Sequence, residues 1–179
     1  MSDTDDTPMG TIAREDGRIT LRYRRRFPHP VESVWAALTE REHLRAWMPC
    51  DIIGERRAGA AIELPFWPTI MEHHEIDQPV LTGEICVWEP PHVFEWTWDT
   101  DLLRFELAAD GEGTRLTFTT WLGFDDDEGA ADTAAGYHTC LAHLSARLDG
   151  RELGELATAD TADLERRYRG LVASHPGAS

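Results

Sequence analysis

Four consecutive residues, Glu72, His73, His74 and Glu75, form the segment of this sequence that most resembles a metal site. On a strand, successive side chains point to opposite faces, so Glu72 and His74 would share one face and His73 and Glu75 the other. Two ligands on a face fall short of the three protein ligands that a catalytic zinc site needs. We therefore expect a solvated polar strand, with neither a metal nor a cofactor bound there.

Three other ionisable side chains are candidates for general acid–base chemistry. His138 follows Tyr137 on a predicted helix, and imidazole can act as a base near neutral pH. The alternative is a purely structural role, in which His138 lies on the flank of the helix and hydrogen-bonds to the sheet or to water. Glu95 and Glu106 alternate with apolar residues, which predicts that both face solvent; in the opposite register, a buried carboxylate would be an acid–base candidate. The catalytic candidates are His138, Glu95 and, from the segment of residues 72–75, His74.

The three cysteines, Cys50, Cys86 and Cys140, indicate neither a disulfide framework nor a zinc site, because their number is odd and their spacing is wide. Cys140 lies close to the apolar face of a predicted helix, with no recognisable base nearby, so we expect a small buried apolar residue. Free cysteines favour a reducing cytoplasm.

Aromatic side chains are the candidates for a binding site. An apolar cavity with few polar groups is the usual way in which proteins hold hydrophobic ligands. The alternative is that the same rings fill the core. The side chains that could line such a cavity are Trp35, Trp67, Trp88, Trp96, Phe105, Phe118, Tyr137 and Leu141.

A long helix over residues 129–150 is the element that must position these side chains. Its apolar residues recur at steps of three and four, so they share one face. The acidic run of residues 125–128 precedes it and suits the positive end of the helix dipole, while Gly150 can take the left-handed conformation that ends a helix. The residues on the apolar face are Ala134, Tyr137, Leu141, Leu144 and Leu148.

The rest of the chain reads mainly as strands. Period-two alternation predicts strands over residues 19–27, 94–98, 103–107 and 116–122. Two short helices are expected after the first strand, one from Pro30 and one from Thr39 or Glu40 that carries Leu44 and Trp47 and is ended by Pro49. We also expect short strands at residues 52–53, 61–66 and 71–76, a hairpin at Pro90-Pro91, and a short helix near Asp160.

Three motifs, in this order, resemble the helix-grip fold of the START-like (SRPBCC) superfamily, and in particular the AHSA1-like family. They are residues 30–39 leading to Trp47; Gly83-Glu84 leading to residues 89–98; and Gly136-Tyr137 leading to Cys140-Leu141 and Leu144. The resemblance implies an α+β fold in which a curved antiparallel sheet of about six or seven strands wraps around a long C-terminal helix. It also implies a pocket for an apolar small molecule between sheet and helix.

Charge and composition exclude several classes of partner. The formal net charge of −16 argues against nucleic acids and anionic membranes, because both need a basic patch. The acidic N-terminus lacks the basic and apolar regions of a signal peptide, and no apolar run is long enough to span a bilayer, which predicts a cytoplasmic protein. All 17 basic residues are Arg, which indicates a GC-rich, bacterial genome.

We expect a disordered tail over residues 1–15, one helix-grip domain over residues 16–150 and an extension with a short helix over residues 151–179. The favoured function is binding of a hydrophobic or aromatic small molecule. One alternative is an enzyme of the polyketide cyclase/dehydratase or hydrolase kind, which needs two polar groups converging in the cavity. The other is a protein-interaction module, co-chaperone-like or a homodimer.

Overall fold

The computed structural model describes residues 7–174. The elements follow in this order: β1 (Thr11–Glu15), β2 (Arg18–Phe27), α1 (Val31–Thr39), α2 (Arg41–Trp47), β3 (Ala61–Pro65), α3 (Pro68–His73), β4 (Val80–Glu89), β5 (Val93–Trp98), β6 (Asp101–Asp110), β7 (Gly113–Trp121), α4 (Asp127–Leu148), a single 3-10 turn (Leu156–Thr158) and α5 (Ala162–Ser174). None of the helices in this part of the chain combines the length and the apolar character needed to cross a bilayer.

The seven strands form one antiparallel sheet in the order β1-β2-β7-β6-β5-β4-β3. Alternate side chains point to one face, and that face is apolar because the strands repeat apolar residues at every second position. In β6 and β7 the pairing places Phe105 directly opposite Phe118. The predicted helix-grip architecture is confirmed, including the two short helices α1 and α2 after the first long strand.

Aromatic rings fill the centre of the covered face. Trp96 stacks on Phe105 with ring centroids 5.3 Å apart, and Phe105 stacks on Phe118 at 4.3 Å. Tyr137 of α4 meets Phe118 edge-on at 5.0 Å. Helix α4 therefore lies on the face that carries these rings, as the apolar pattern predicts.

Local signals fix the ends of α4. The Asp126 carboxylate accepts a hydrogen bond from the Gly129 N–H at 2.8 Å, which satisfies one of the free donors of the first turn. Asp127 and Glu128 add negative charge at the positive end of the dipole. After the helix, Gly150 takes a φ of 67°, a left-handed conformation that favours glycine.

The expected strand over residues 71–76 is wrong, and with it the expected polar strand at residues 72–75. Pro68 stands in the first turn of α3, where its missing N–H costs nothing and its fixed φ suits a helix. Glu72 and His73 consequently end a helix. Residues 52–53 form only an isolated bridge, between Ile53 and Glu63.

The expected N-terminal tail is too long, because residues 11–15 form strand β1 and pair with β2. Asp16 and Gly17 connect the two strands with φ values of 51° and 78°, the pattern of a two-residue hairpin turn. The part of the tail at residues 1–6 lies outside the described residues, as does the end of the chain at residues 175–179. The short helix expected near Asp160 is α5, and its Tyr168 is buried.

Phe105→Ala tests whether the centre of the sheet is a packed core. We expect a loss of about 3–5 kcal/mol in the free energy of unfolding, because the ring lies between two stacked neighbours and its removal leaves a cavity. Phe124→Ala is the matched control, since Phe124 is 39% exposed. Urea unfolding followed by circular dichroism measures both, and similar losses in the two variants would contradict the packed stack.

His143→Gln tests the packing of α2 against α4. Burial lowers the pKa of the His143 imidazole below its ordinary value of 6.5. Below that pH the unfolded chain binds a proton that the folded protein does not, so this contribution to stability is complete above pH 6.5 and falls as the pH falls. We expect the unfolding free energy of the wild type to decline more steeply between pH 7.5 and 5.5 than that of His143→Gln. His73→Gln, at an exposed position on α3, is the control and should retain the wild-type slope.

Candidate functional site

A cavity of about 410 Å³ lies between α3, the N-terminal half of α4, the end of β5 and the extension after α4. We call it the α4 cavity. Its apolar wall includes Phe66, Ile70, Trp98 and Leu156. The Phe66 and Trp98 rings lie 5.9 Å apart at 42°. The cavity has the size of a small-molecule pocket and a largely apolar lining.

Small residues on α4 leave the space open. Gly136 lines the cavity, and a Cβ added there would meet no atom within 4 Å. Thr133 and Cys140 lie one helical turn to either side of it, so they share its face of the helix. A larger side chain at Gly136 would project into the cavity.

Three of the polar side chains around the α4 cavity already have partners. Asp132 pairs with Arg169 of α5 at 2.9 Å, and His74 Nε2 lies 3.0 Å from the Ala157 carbonyl oxygen. Thr161 donates to Glu165 at 2.6 Å. At these three positions a ligand would therefore meet groups that already have partners.

Two groups in the wall are held in their neutral form by burial. Burial raises the pKa of the Tyr137 phenol well above its ordinary value, and it raises the pKa of the Cys140 thiol to about 12. Cys140 is thus a protonated thiol at neutral pH and a poor nucleophile. Trp98 adds a buried indole Nε1–H that has no acceptor among the described residues.

Two of the three catalytic candidates lie away from this cavity. His138 is fully buried, and its Nδ1 lies 2.9 Å from the Tyr168 hydroxyl, which accepts the Gly10 N–H at 2.9 Å. Glu95 pairs with Arg104 at 2.9 Å in the neighbouring strand β6. His74 lines the cavity. Glu106 also contacts Arg104, and its side chain is 44% exposed.

The predicted aromatic lining is largely elsewhere. Of the eight candidates, Tyr137 lines the α4 cavity, and Trp67 lines a second cavity on the other side of α3. Trp35 and Trp88 pack on each other at 5.1 Å. The remaining four lie in the packed core: Trp96, Phe105, Phe118 and Leu141.

The sequence reasoning missed most of the wall. Trp98 shares a strand face with Phe94 and Trp96, and this was the signal that could have found it. Gly136 is a glycine in the interior of a predicted helix, which was a second available signal. Leu156 and Thr161 belong to the extension, whose sequence has no pattern that indicates a cavity wall.

The side-chain atoms of residues 72–75 that could ligate a metal do not come together. In the described part of the chain, such ligand atoms approach one another at Glu40, Glu42 and His43, on and just before α2. There Arg147 donates its Nε–H to His43 Nδ1 at 3.2 Å, so this ring nitrogen is already occupied as an acceptor. Both glutamates are exposed, which is typical of a solvated helix start.

Comparison with known proteins identifies the family and the fold. The family described as "Activator of Hsp90 ATPase homolog 1-like protein" (AHSA1) has a model that matches residues 28–149. Among curated proteins, none matches the chain.

Solved structures share the architecture over most of the chain. A conserved protein of unknown function, EF2215 from Enterococcus faecalis, superposes with a TM-score of 0.74 at 20% identity, covering 94% of this chain and 92% of that chain. CalU16 from Micromonospora echinospora gives a TM-score of 0.66 at 17% identity, covering 91% and 95%. The protein encoded by gene BPP1335 from Bordetella parapertussis gives 0.65 at 29% identity, covering 90% of each chain.

A double-mutant cycle tests the buried link between α4 and α5. Tyr168→Phe removes the hydroxyl that joins His138 to the Gly10 N–H and leaves that buried donor without its acceptor, so we expect a loss of about 1–3 kcal/mol in unfolding free energy. His138→Gln and the double variant complete the cycle, and we expect a coupling energy of at least about 0.5 kcal/mol. Urea unfolding gives the four values, and strictly additive losses would contradict a direct link.

Proposed function

Because the chain belongs to the Activator of Hsp90 ATPase homolog 1-like (AHSA1) family, we propose that it binds a hydrophobic or aromatic small molecule in the α4 cavity. The family match bears out the resemblance drawn from the three sequence motifs. The observation that carries the proposal is the cavity itself, about 410 Å³ of space beside a helix that presents a glycine to it.

The lining favours an uncharged ligand. Asp132 is the carboxylate in the wall and is neutralised by Arg169, and no guanidinium is among the groups that line the cavity within residues 7–174. Burial keeps the Tyr137 phenol protonated, so it adds no charge to the wall. A planar molecule of one or two rings with a single hydroxyl or carbonyl oxygen matches this volume and this chemistry.

The enzyme alternative, of the cyclase/dehydratase or hydrolase kind, has less support. It requires a base or nucleophile and a second polar group that converge on one substrate. His74 is engaged by the Ala157 carbonyl, Cys140 is a protonated thiol, and His138 and Glu95 lie outside the cavity. These placements favour binding over catalysis.

The interaction alternatives, a co-chaperone-like module or a homodimer, also have less support. A docking face would need a contiguous exposed apolar patch. The large apolar side chains that are exposed come singly from five segments of the described chain, so no helix or strand has an exposed apolar face of its own. They are Ile53, Met71, Val80, Phe124 and Leu153.

Gly136→Leu tests the proposal by filling the cavity. We expect the variant to fold with equal or higher stability, because leucine is favoured over glycine in a helix by roughly 0.5–1 kcal/mol and the added Cβ meets no atom. Millimolar 2-naphthol or indole should raise the melting temperature of the wild type. The corresponding gain in unfolding free energy is about 2.7 kcal/mol when the ligand reaches a hundred times its Kd. Gly136→Leu should show no gain.

Gly170→Leu is the matched control. Gly170 lies on α5, is exposed and also has open space around an added Cβ, but it does not line the cavity. This variant should bind both probes as the wild type does. The proposal is wrong if neither probe stabilises the wild type, or if Gly136→Leu binds them with unchanged affinity.

A further inference from the structure

A second cavity, of about 490 Å³, lies on the other side of Ile70 and Leu156. It is formed by the end of α2, the start of α3, the C-terminal half of α4 and residues 151–157. We call it the α2 cavity. We propose that the α2 cavity binds a small organic anion, a planar hydrophobic group with one carboxylate or sulfonate, and that Arg45 and Arg147 hold the anionic end.

The lining of this cavity holds three arginines against two glutamates, in a chain whose formal net charge is −16. Arg45, Arg147 and Arg151 all line it. Arg151 pairs with Asp149 at 3.1 Å. Within the described residues, neither Arg45 nor Arg147 forms an ion pair with a carboxylate, and Arg147 donates only to the neutral acceptor His43 Nδ1. Two guanidinium groups therefore remain available for an anion.

Trp67 gives the cavity an aromatic wall of fixed orientation. Its indole Nε1–H donates to the Met48 carbonyl at 2.8 Å, and the residue is 7% exposed. The Arg45 guanidinium carbon lies 5.8 Å from the Trp67 ring centroid, a cation–π distance that places this charge beside the ring. Arg41 lies at 5.9 Å from the same ring but is bound to the buried carboxylate of Asp51 at 2.8 Å.

Apolar side chains complete the surface on which a ring would lie. Ile70, Ala146 and Leu156 line the cavity together with Trp67. An anion with a hydrophobic body would therefore bury its body on this surface while its charged end meets the two arginines. An inorganic anion would use only the charged half of the site.

Glu152 and Glu155 also line the α2 cavity, and both are exposed. Neither is ion-paired with Arg45 or Arg147 in the structure. Their carboxylates oppose an incoming anion, so removing one of them should strengthen binding. Removing an arginine should weaken anion binding and removing a glutamate should strengthen it. This contrast distinguishes an anion site from a purely hydrophobic one.

The α2 cavity differs from the α4 cavity in charge, although both take part of their wall from the extension after α4. The α4 cavity has no guanidinium in its wall, whereas the α2 cavity has three. Residues 151–157 follow the segment matched by the family model, which ends at residue 149. The outer wall of the α2 cavity is thus supplied by the extension of this chain.

The test compares 2-naphthoate with its neutral analogue 2-naphthalenemethanol by isothermal titration calorimetry on the full chain. We expect the wild type to bind 2-naphthoate, and Arg45→Gln and Arg147→Gln each to weaken that binding about tenfold. Glu155→Gln should bind 2-naphthoate more tightly. Raising the salt concentration from 0.05 to 0.5 M should weaken 2-naphthoate binding, because the charges lie near the surface.

Two variants separate this site from its neighbour and from general charge effects. Gly136→Leu, which fills the α4 cavity, should retain 2-naphthoate binding and lose 2-naphthalenemethanol binding. Arg166→Gln removes an exposed arginine of α5 that pairs with Asp163 and should bind as the wild type does. Melting temperatures confirm that each variant is folded.

The inference is overturned if the wild type does not bind 2-naphthoate at millimolar concentration, or if Arg45→Gln and Arg147→Gln bind it as tightly as the wild type. Loss of 2-naphthoate binding in Gly136→Leu would likewise overturn it, because the anion would then occupy the α4 cavity. Failure of 2-naphthalenemethanol alone would count against the neutral-ligand proposal and leave the anion site supported.

Discussion

The mutual packing of aromatic rings on the covered face of the sheet determines where space is left in this protein. Strand pairing puts Phe105 opposite Phe118 and Phe94 opposite Phe105, so rings on adjacent strands stack across the middle of the face. Helix α4 closes over them through Tyr137. Because this centre is filled, the α2 and α4 cavities lie at the edges of α4, where it meets α3 and the extension.

Much of the fold could be predicted from the sequence because it is encoded at short range. The alternation of Ile19, Leu21 and Tyr23 with polar residues fixes a strand and its buried face, and the three- and four-residue spacing around Leu141 fixes the helix that covers it. Strand β1 was missed because it is an edge strand whose side chains are half-buried or exposed, so it has no apolar alternation. Only the Asp16-Gly17 turn marks it.

The site was harder to predict because its wall has no sequence period. Phe66, Trp98, Gly136 and Leu156 come from four distant segments, and only the assembled fold brings them together. Whether a ring such as Trp96 lines a cavity or fills a core depends on ring-to-ring distances that the spacing of residues along a strand does not contain. Helix α3 shows a similar conflict: a helix-starting proline outweighed the strand pattern expected for residues 71–76.

The extension after α4 supplies part of the wall of both cavities. Tyr168 is held by His138 and by the Gly10 N–H, which docks α5 on α4, and Leu156 then forms part of the wall of both cavities. The family model ends at residue 149, so it covers the sheet and α4 but not this outer wall. Similarity at 17–29% identity therefore accounts for the scaffold. Ligand chemistry has to be argued from the groups of this chain that reach each cavity. These are a carboxylate paired with an arginine in one cavity, and, in the other, two arginines without a carboxylate partner among the described residues, of which Arg45 lies beside the Trp67 indole.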